Sequence, residues 1–202
     1  MKDLPTGGRE GLVIAAVPVR EDPHDTLVTR TGVSFSELPL GSRVATASPR
    51  RIAQLWARRP DLRFVPGRGN VDTRLRKLLR RGDFDALVVA QAGLTRLGLA
   101  HLPAEPIPFD ICLPAPGQGA LALQVREDDE PLRELIGKLD HRPSHLAVIA
   151  ERSFLACLGS GCSLPAAALG TLEGEQLTVQ GLAADPEGKS IIRREIPIAR
   201  AR

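Results

Sequence analysis

Two stretches, Ala45-Thr46-Ala47-Ser48-Pro49-Arg50-Arg51 and Gly67-Arg68-Gly69-Asn70-Val71-Asp72-Thr73-Arg74, occupy equivalent places: each follows a short apolar run and opens a helix-like run. Both therefore read as strand-to-helix junctions. At such a junction the free N–H groups of a helix start and the forked donors of arginine meet at one sheet edge, which suits carboxylates or phosphates. A basic surface stripe is the competing reading.

Working outward, the chain alternates regularly: strand 44–47, helix 49–58, strand 62–66, helix 70–81, strand 86–90, helix 91–97. This predicts a parallel sheet covered by helices. Ser48 before Pro49 supplies an N-cap and a first-turn proline. Asn70 caps a helix whose Val71, Leu75, Leu78 and Leu79 share one side, with Arg74 and Lys77 away from it. Upstream, residues 1–9 read as a loop, 12–19 as a buried strand and 20–25 as a polar connector. Downstream come a proline-rich connector (102–116), a tight turn (116–120), a strand (121–125) and a helix (131–139). An amphipathic helix then runs from Ser144 to Gly159, with Leu146, Ile149, Ala150, Phe154 and Leu158 inward. A loop at 159–165 presents Cys162 between glycines. Residues 177–183 and 190–197 form a hairpin that turns at Asp185-Pro186-Glu187-Gly188. Gly117 and Gly119 precede a strand rather than follow one, so dinucleotide binding is rejected there.

Composition narrows the function classes. The 202 residues are 43% hydrophobic, enough for one or two domains with real cores. Aromatic residues make up only 3%, with no Tyr and one Trp, so platforms for stacking bases are scarce and nucleic-acid binding is disfavoured. The net charge of +3 is carried mainly by arginine, the residue suited to bidentate carboxylate recognition; a GC-rich genome gives the same bias. Three cysteines without a CxxC pair fit a reducing cytoplasm. Cys112 and Cys157 read as buried core residues. His141 and His145 have helical spacing but no partner that completes a metal set, so they read as solvent-facing and no metal is expected. Residues 12–19 are too short for a membrane span and lack a basic leader, so no membrane association is expected.

Several motifs together resemble the porphobilinogen deaminase, or hydroxymethylbilane synthase, family. They are Met1-Lys2-Asp3-Leu4-Pro5, Arg20-Glu21-Asp22-Pro23, residues 45–51, residues 68–74, residues 92–99, residues 114–120, Glu151-Arg152 and Gly161-Cys162-Ser163-Leu164-Pro165, in the family's order over nearly the whole chain. The resemblance implies an α/β fold: a periplasmic-binding-protein-like lobe with a parallel-rich sheet, the remnant of a second such lobe, and a small α+β C-terminal domain. Residues 1–22 and 107–128 would be the discontinuous remnant of the first lobe, 23–106 the second lobe, and 140–202 an incomplete C-terminal cofactor-attachment domain. It also implies a chain shortened at both ends, since family members carry a long segment ahead of the Met-Lys-Asp motif and a helix beyond the hairpin.

The family reaction joins four porphobilinogen molecules head to tail with loss of ammonia, on a cysteine-linked dipyrromethane primer, in tetrapyrrole (heme) biosynthesis. Each unit carries an acetate and a propionate, which explains the arginines. By resemblance, Cys162 attaches the dipyrromethane cofactor, and Lys2, Arg50, Arg51, Arg68 and Arg74 hold its carboxylates. Thr46, Ser48 and Arg96 bind substrate. Asp3 matches the catalytic aspartate, which stabilises a cationic azafulvene and moves protons at the pyrrole nitrogens and the leaving amine. Ala47 stands where the family commonly has a serine, a hydrogen bond worth about 0.5–1.5 kcal/mol. The resemblance further implies a cytoplasmic protein, monomeric when complete, with the missing N-terminal segment as a possible requirement. The alternatives are an inactive fragment or a small-carboxylate binding module of the same fold.

Overall fold

The computed structural model describes residues 1–99, 101–159, 165–185 and 187–198. They form two compact units: Met1–Pro23, Pro114–Ala183 and Ile192–Arg202 make unit 1, and His24–Leu113 with Ala184–Ile191 make unit 2. Segments 1–22 and 140–183 thus fall in the same unit. In chain order the elements are β1 (Leu12–Ala16), β2 (Asp25–Thr29), β3 (Arg43–Ala45), α1 (Pro49–Arg58), β4 (Arg63–Val65), α2 (Val71–Arg76), a π-helical turn (Lys77–Arg81), β5 (Ala86–Ala90), α3 (Gln91–Arg96) and β6 (Ala104–Ile107). After these come β7 (Leu123–Arg126), α4 (Glu130–Gly137), α5 (Arg142–Cys157), β8 (Ala166–Glu173), β9 (Gln176–Ala184) and β10 (Ile191–Ile198).

Unit 2 is built on a five-stranded sheet in the order β4-β3-β5-β2-β6. β3 pairs parallel with β4 and β5, while β2 pairs antiparallel with both β5 and β6. Four strands therefore share one direction and β2 alone runs against them, so the sheet is parallel-rich but mixed. Successive side chains on a strand face opposite ways, and the strands here are apolar on both faces. Leu27, Val44, Ala86 and Val88 pack with Leu55 of α1 on one face; Val28, Ala45, Leu87 and Val89 pack with Leu75, Leu78 and Leu94 on the other.

Two strands differ from the sequence expectation. β2 begins within the residues read as a polar connector, and β6 lies inside the stretch read as a proline-rich connector. β6 contains Pro106, which is tolerated because β6 is the sheet's edge strand. The helix expected over 70–81 is α-helical only to Arg76 and closes as a π-turn, ending at Gly82 with φ 65°.

In unit 1, β1 pairs antiparallel with β7, and β8, β9 and β10 form a three-stranded sheet. β1 ends at Ala16 and is only half-buried; Val19, expected inside it, is exposed. β8 was not anticipated at all. Helix α5 starts two residues earlier than expected, capped by His141, whose Nδ1 accepts from the Ser144 N–H at 3.4 Å. Its buried residues are Ser144, Ala147, Val148 and Glu151, whereas Ile149 is 49% exposed. The buried side is thus turned from the apolar one, because it carries a charge. Glu151, 0% exposed, pairs with Arg20 at 2.5 Å and accepts the N–H groups of Gly117 and Gly170 at 2.6 and 2.8 Å. Cys157, expected in the core, falls on the other side and is exposed; Cys112 is buried as expected. His145, read as solvent-facing, has Asp140 Oδ1 at 2.7 Å. The 117–119 turn sits close against the first strand's exit. Gly119 adopts φ 82°, and a Cβ there would collide with the Glu21 carbonyl, so glycine is required.

Candidate active site

The candidate site lies in unit 2 at the C-terminal ends of β3, β4 and β5, where chain passes from strand to helix. Ligands gather at this end in parallel-rich sheets because the helix starts and connecting loops open there. β3 leads to Thr46, which is buried and donates its N–H to the Val65 carbonyl at 3.0 Å, tying the first junction to the second. Ser48 then caps α1, its hydroxyl accepting from the Arg51 N–H at 3.4 Å, with Pro49 in the first turn. The Thr46 hydroxyl accepts from the Ser48 N–H at 3.3 Å. Both hydroxyls accept locally and retain their own O–H as donors. At the second junction Asn70 caps α2, accepting from the Thr73 N–H at 2.9 Å. Capping is thus what places Arg50 and Arg51 in the first turn of α1 and starts the short α2 that carries Arg74.

Arg50 and Arg51 are only 6% and 7% exposed, and both engage Asp25, the first residue of β2 and 0% exposed. Arg50 Nη1 donates to Asp25 Oδ2 and Arg51 Nη2 to Asp25 Oδ1, each at 2.7 Å. Arg50 Nη1 also donates to the Leu113 carbonyl at 2.5 Å, and Arg51 Nη1 to the Val88 carbonyl at 3.0 Å. The Cys112 thiol lies 3.4 Å from Asp25 Oδ2 as a further donor. Burial alone would raise the Asp25 carboxyl, but the two guanidiniums beside it hold it well below the usual carboxylate range. Burial pushes the Cys112 thiol up to about 12, Arg50 pulling the other way and Asp25 adding to the rise. Of these donors, Arg51 Nε is fully buried and has no acceptor among the described residues.

Around this pair the balance is cationic. Burial and the nearby charge of Arg51 both lower the Arg74 pKa, which places Arg74 within electrostatic reach of Arg51. Its only side-chain hydrogen bond among the described residues runs from Nε to the Asn70 carbonyl, at 3.4 Å. Arg68 and Arg96 are exposed, at the second junction and at the end of α3. Lys2 and Asp3 are exposed in unit 1, on a turn closed by the Leu4 N–H to the Met1 carbonyl at 2.9 Å. Cys162 lies outside the described residues. Arg50, Arg51, Thr46, Ser48, Arg68 and Arg74 are therefore brought to one sheet edge. Asp25 is the residue that sequence reasoning missed: its partners lie 25 and 26 positions away, and an acid at a strand's first position gives no local signal. Among the described residues no cluster of three metal-ligating side chains occurs, and no helix is long and apolar enough to cross a membrane.

An excess of guanidinium donors over acids, one of them buried and unsatisfied, fits carboxylates of a ligand. Comparison with known proteins agrees in kind. A family model described as "Porphobilinogen deaminase, dipyromethane cofactor binding domain" matches residues 1–134, and one described as "Porphobilinogen deaminase, C-terminal domain" matches residues 145–201. The porphobilinogen deaminase of Pelotomaculum thermopropionicum is 53% identical over 193 residues, covering 96% of this chain and 62% of that protein. That of Syntrophotalea carbinolica is 48% identical over 203 residues, covering 100% of this chain and 64% of that protein. The chain thus spans less than two thirds of the length of these relatives. Among solved structures, the VFT2 domain of Bordetella pertussis BvgS superposes with a TM-score of 0.40 at 19% identity, covering 70% of this chain and 60% of that one. A likeness that weak carries nothing further.

Proposed function

This chain belongs to the porphobilinogen deaminase family, and from that premise we propose that it serves a hydroxymethylbilane synthase-type transferase, condensing four porphobilinogen molecules head to tail with release of ammonia. The observation that carries the proposal is the buried Arg51 Nε without an acceptor among the described residues, with Arg74 near enough to feel the charge of Arg51 and Arg68 exposed at the second junction. A buried donor left unpaired costs about 1–3 kcal/mol, and a carboxylate of the ligand removes that cost. The donor set fits a dipyrromethane, whose side chains are acetates and propionates. In this reading Cys162 holds it through a thioether, while Lys2, Arg50, Arg51, Arg68 and Arg74 bind its carboxylates and Thr46, Ser48 and Arg96 bind the incoming substrate. When bound, the dipyrromethane supplies the primer to which units are added.

In this reading Asp3 acts at the reacting centre. As the C–N bond of the porphobilinogen aminomethyl group breaks, ammonia departs and the substrate becomes cationic. A fixed carboxylate offsets that charge and passes the proton lost from the attacked pyrrole carbon as the C–C bond forms. The arginines stay protonated throughout and hold the ligand's ionised carboxylates, since guanidinium does not titrate at working pH. A cytoplasmic monomer completes the reading. Calorimetric titration of the chain with porphobilinogen tests it. Binding is expected to weaken about tenfold or more in Arg74→Gln, the loss of one charge-assisted hydrogen bond. A chain that takes up no porphobilinogen overturns the proposal.

A further inference from the structure

We propose that Asp25 is a positioning residue for the carboxylate-binding arginines: it locks Arg50 and Arg51 into one donor face and reduces their joint charge from +2 to +1. The inference rests on the reading of those arginines as carboxylate binders. Adjacent residues on a helix project about 100° apart, so Arg50 and Arg51 have no intrinsic reason to act together. Their side chains nevertheless end on the two oxygens of one carboxylate, at 2.7 Å each. That carboxylate is itself fixed. Asp25 sits on the second-from-edge strand, opposite Ala90 on one side and Ile107 on the other, and is fully buried.

The donors divide accordingly. Asp25 and the Leu113 carbonyl occupy Arg50 Nη1; Asp25 and the Val88 carbonyl occupy Arg51 Nη2 and Nη1. Arg51 Nε and the remaining Arg50 nitrogens, Nε and Nη2, carry no bond among the described residues, and these form the face left for a ligand. Fixing a free arginine side chain costs rotamer entropy. Through Asp25 that ordering occurs on folding, so ligand binding does not bear it. The single net charge that remains matches one carboxylate, with Arg68 and Arg74 available for others.

The test uses the 202-residue chain, Asp25→Ala and Asp25→Glu, with two readouts: hydrogen exchange of the Arg50 and Arg51 Nε–H groups, assigned with Arg50→Lys and Arg51→Lys, and calorimetric affinity for porphobilinogen. In Asp25→Ala, Nε exchange is expected to speed up, and porphobilinogen affinity to fall about tenfold, comparable to one charge-assisted hydrogen bond. Formate, which can sit between the guanidiniums, restores both, and chloride at equal ionic strength does not. Asp25→Glu keeps the charge on a longer arm, so it folds and carries the test if the alanine variant does not; its affinity falls while its melting temperature changes little. Unchanged Nε exchange overturns the proposal, as does freed exchange with unchanged affinity, which is what a purely structural role gives. If the unmodified chain binds no porphobilinogen, the carboxylate reading falls while the exchange and formate measurements still decide whether Asp25 holds the pair.

Discussion

Two buried carboxylates organise the two units, and each makes a separate prediction. Asp25 has a native pKa depressed below the value of about 3.9 for an unfolded aspartate. Its contribution to stability is therefore complete above that unfolded value and is lost as pH falls through the depressed native value. Melting temperature measured downward from about pH 5 should fall steeply, and Asp25→Glu should keep that acid limb while Asp25→Asn flattens it. Glu151 has no slack either: Arg20 and the N–H groups of Gly117 and Gly170 use both its oxygens. Glu151→Gln leaves Arg20 buried without its counter-charge and is expected to cost about 3–5 kcal/mol in urea unfolding. The cysteines give a third check. Iodoacetamide followed by peptide mapping should label exposed Cys157 and spare Cys112, which is buried with its thiol pushed up to about 12.

At the scale of elements, what was legible in the sequence was what is local. Ser48-Pro49 and Asn70 announced α1 and α2 because a cap and the N–H that donates to it lie within three residues, and both caps form as read. Asn70→Ala should destabilise the chain by about 1 kcal/mol, measured by urea unfolding. The strands β2, β6 and β8 were not legible, for different reasons. Asp25 heads β2 with a charge that only distant arginines neutralise, β6 holds a proline that only an edge position excuses, and β8 opens on Ala166, Ala167 and Ala168, too small to give a period. Helix α5 was found, but its inner side was assigned from Ile149 and Leu146, whereas Glu151 faces in. A periodic pattern counts apolar residues and has no means of recognising a buried acid already paired with Arg20. For the same reason the two arginine segments drew attention in the sequence while Asp25, the acid that Arg50 and Arg51 share, did not.

At the scale of the whole molecule, the two units bring different chemistry. Unit 2 supplies guanidinium donors in excess of acids at one sheet edge, and unit 1 supplies Lys2 and Asp3 on an N-terminal turn. In the proposed reaction, carboxylates are held by arginine while one aspartate handles protons. Nothing in that division requires a metal or a nucleotide. The covalent point proposed for it is Cys162, and the most direct test is made there. The chain is incubated with porphobilinogen and its intact mass is measured, with Cys162→Ser alongside. A stable added mass of a dipyrromethane is expected on the unmodified chain, lost in Cys162→Ser. An unchanged mass in the chain that has Cys162, or an equal adduct on the serine variant, would contradict it.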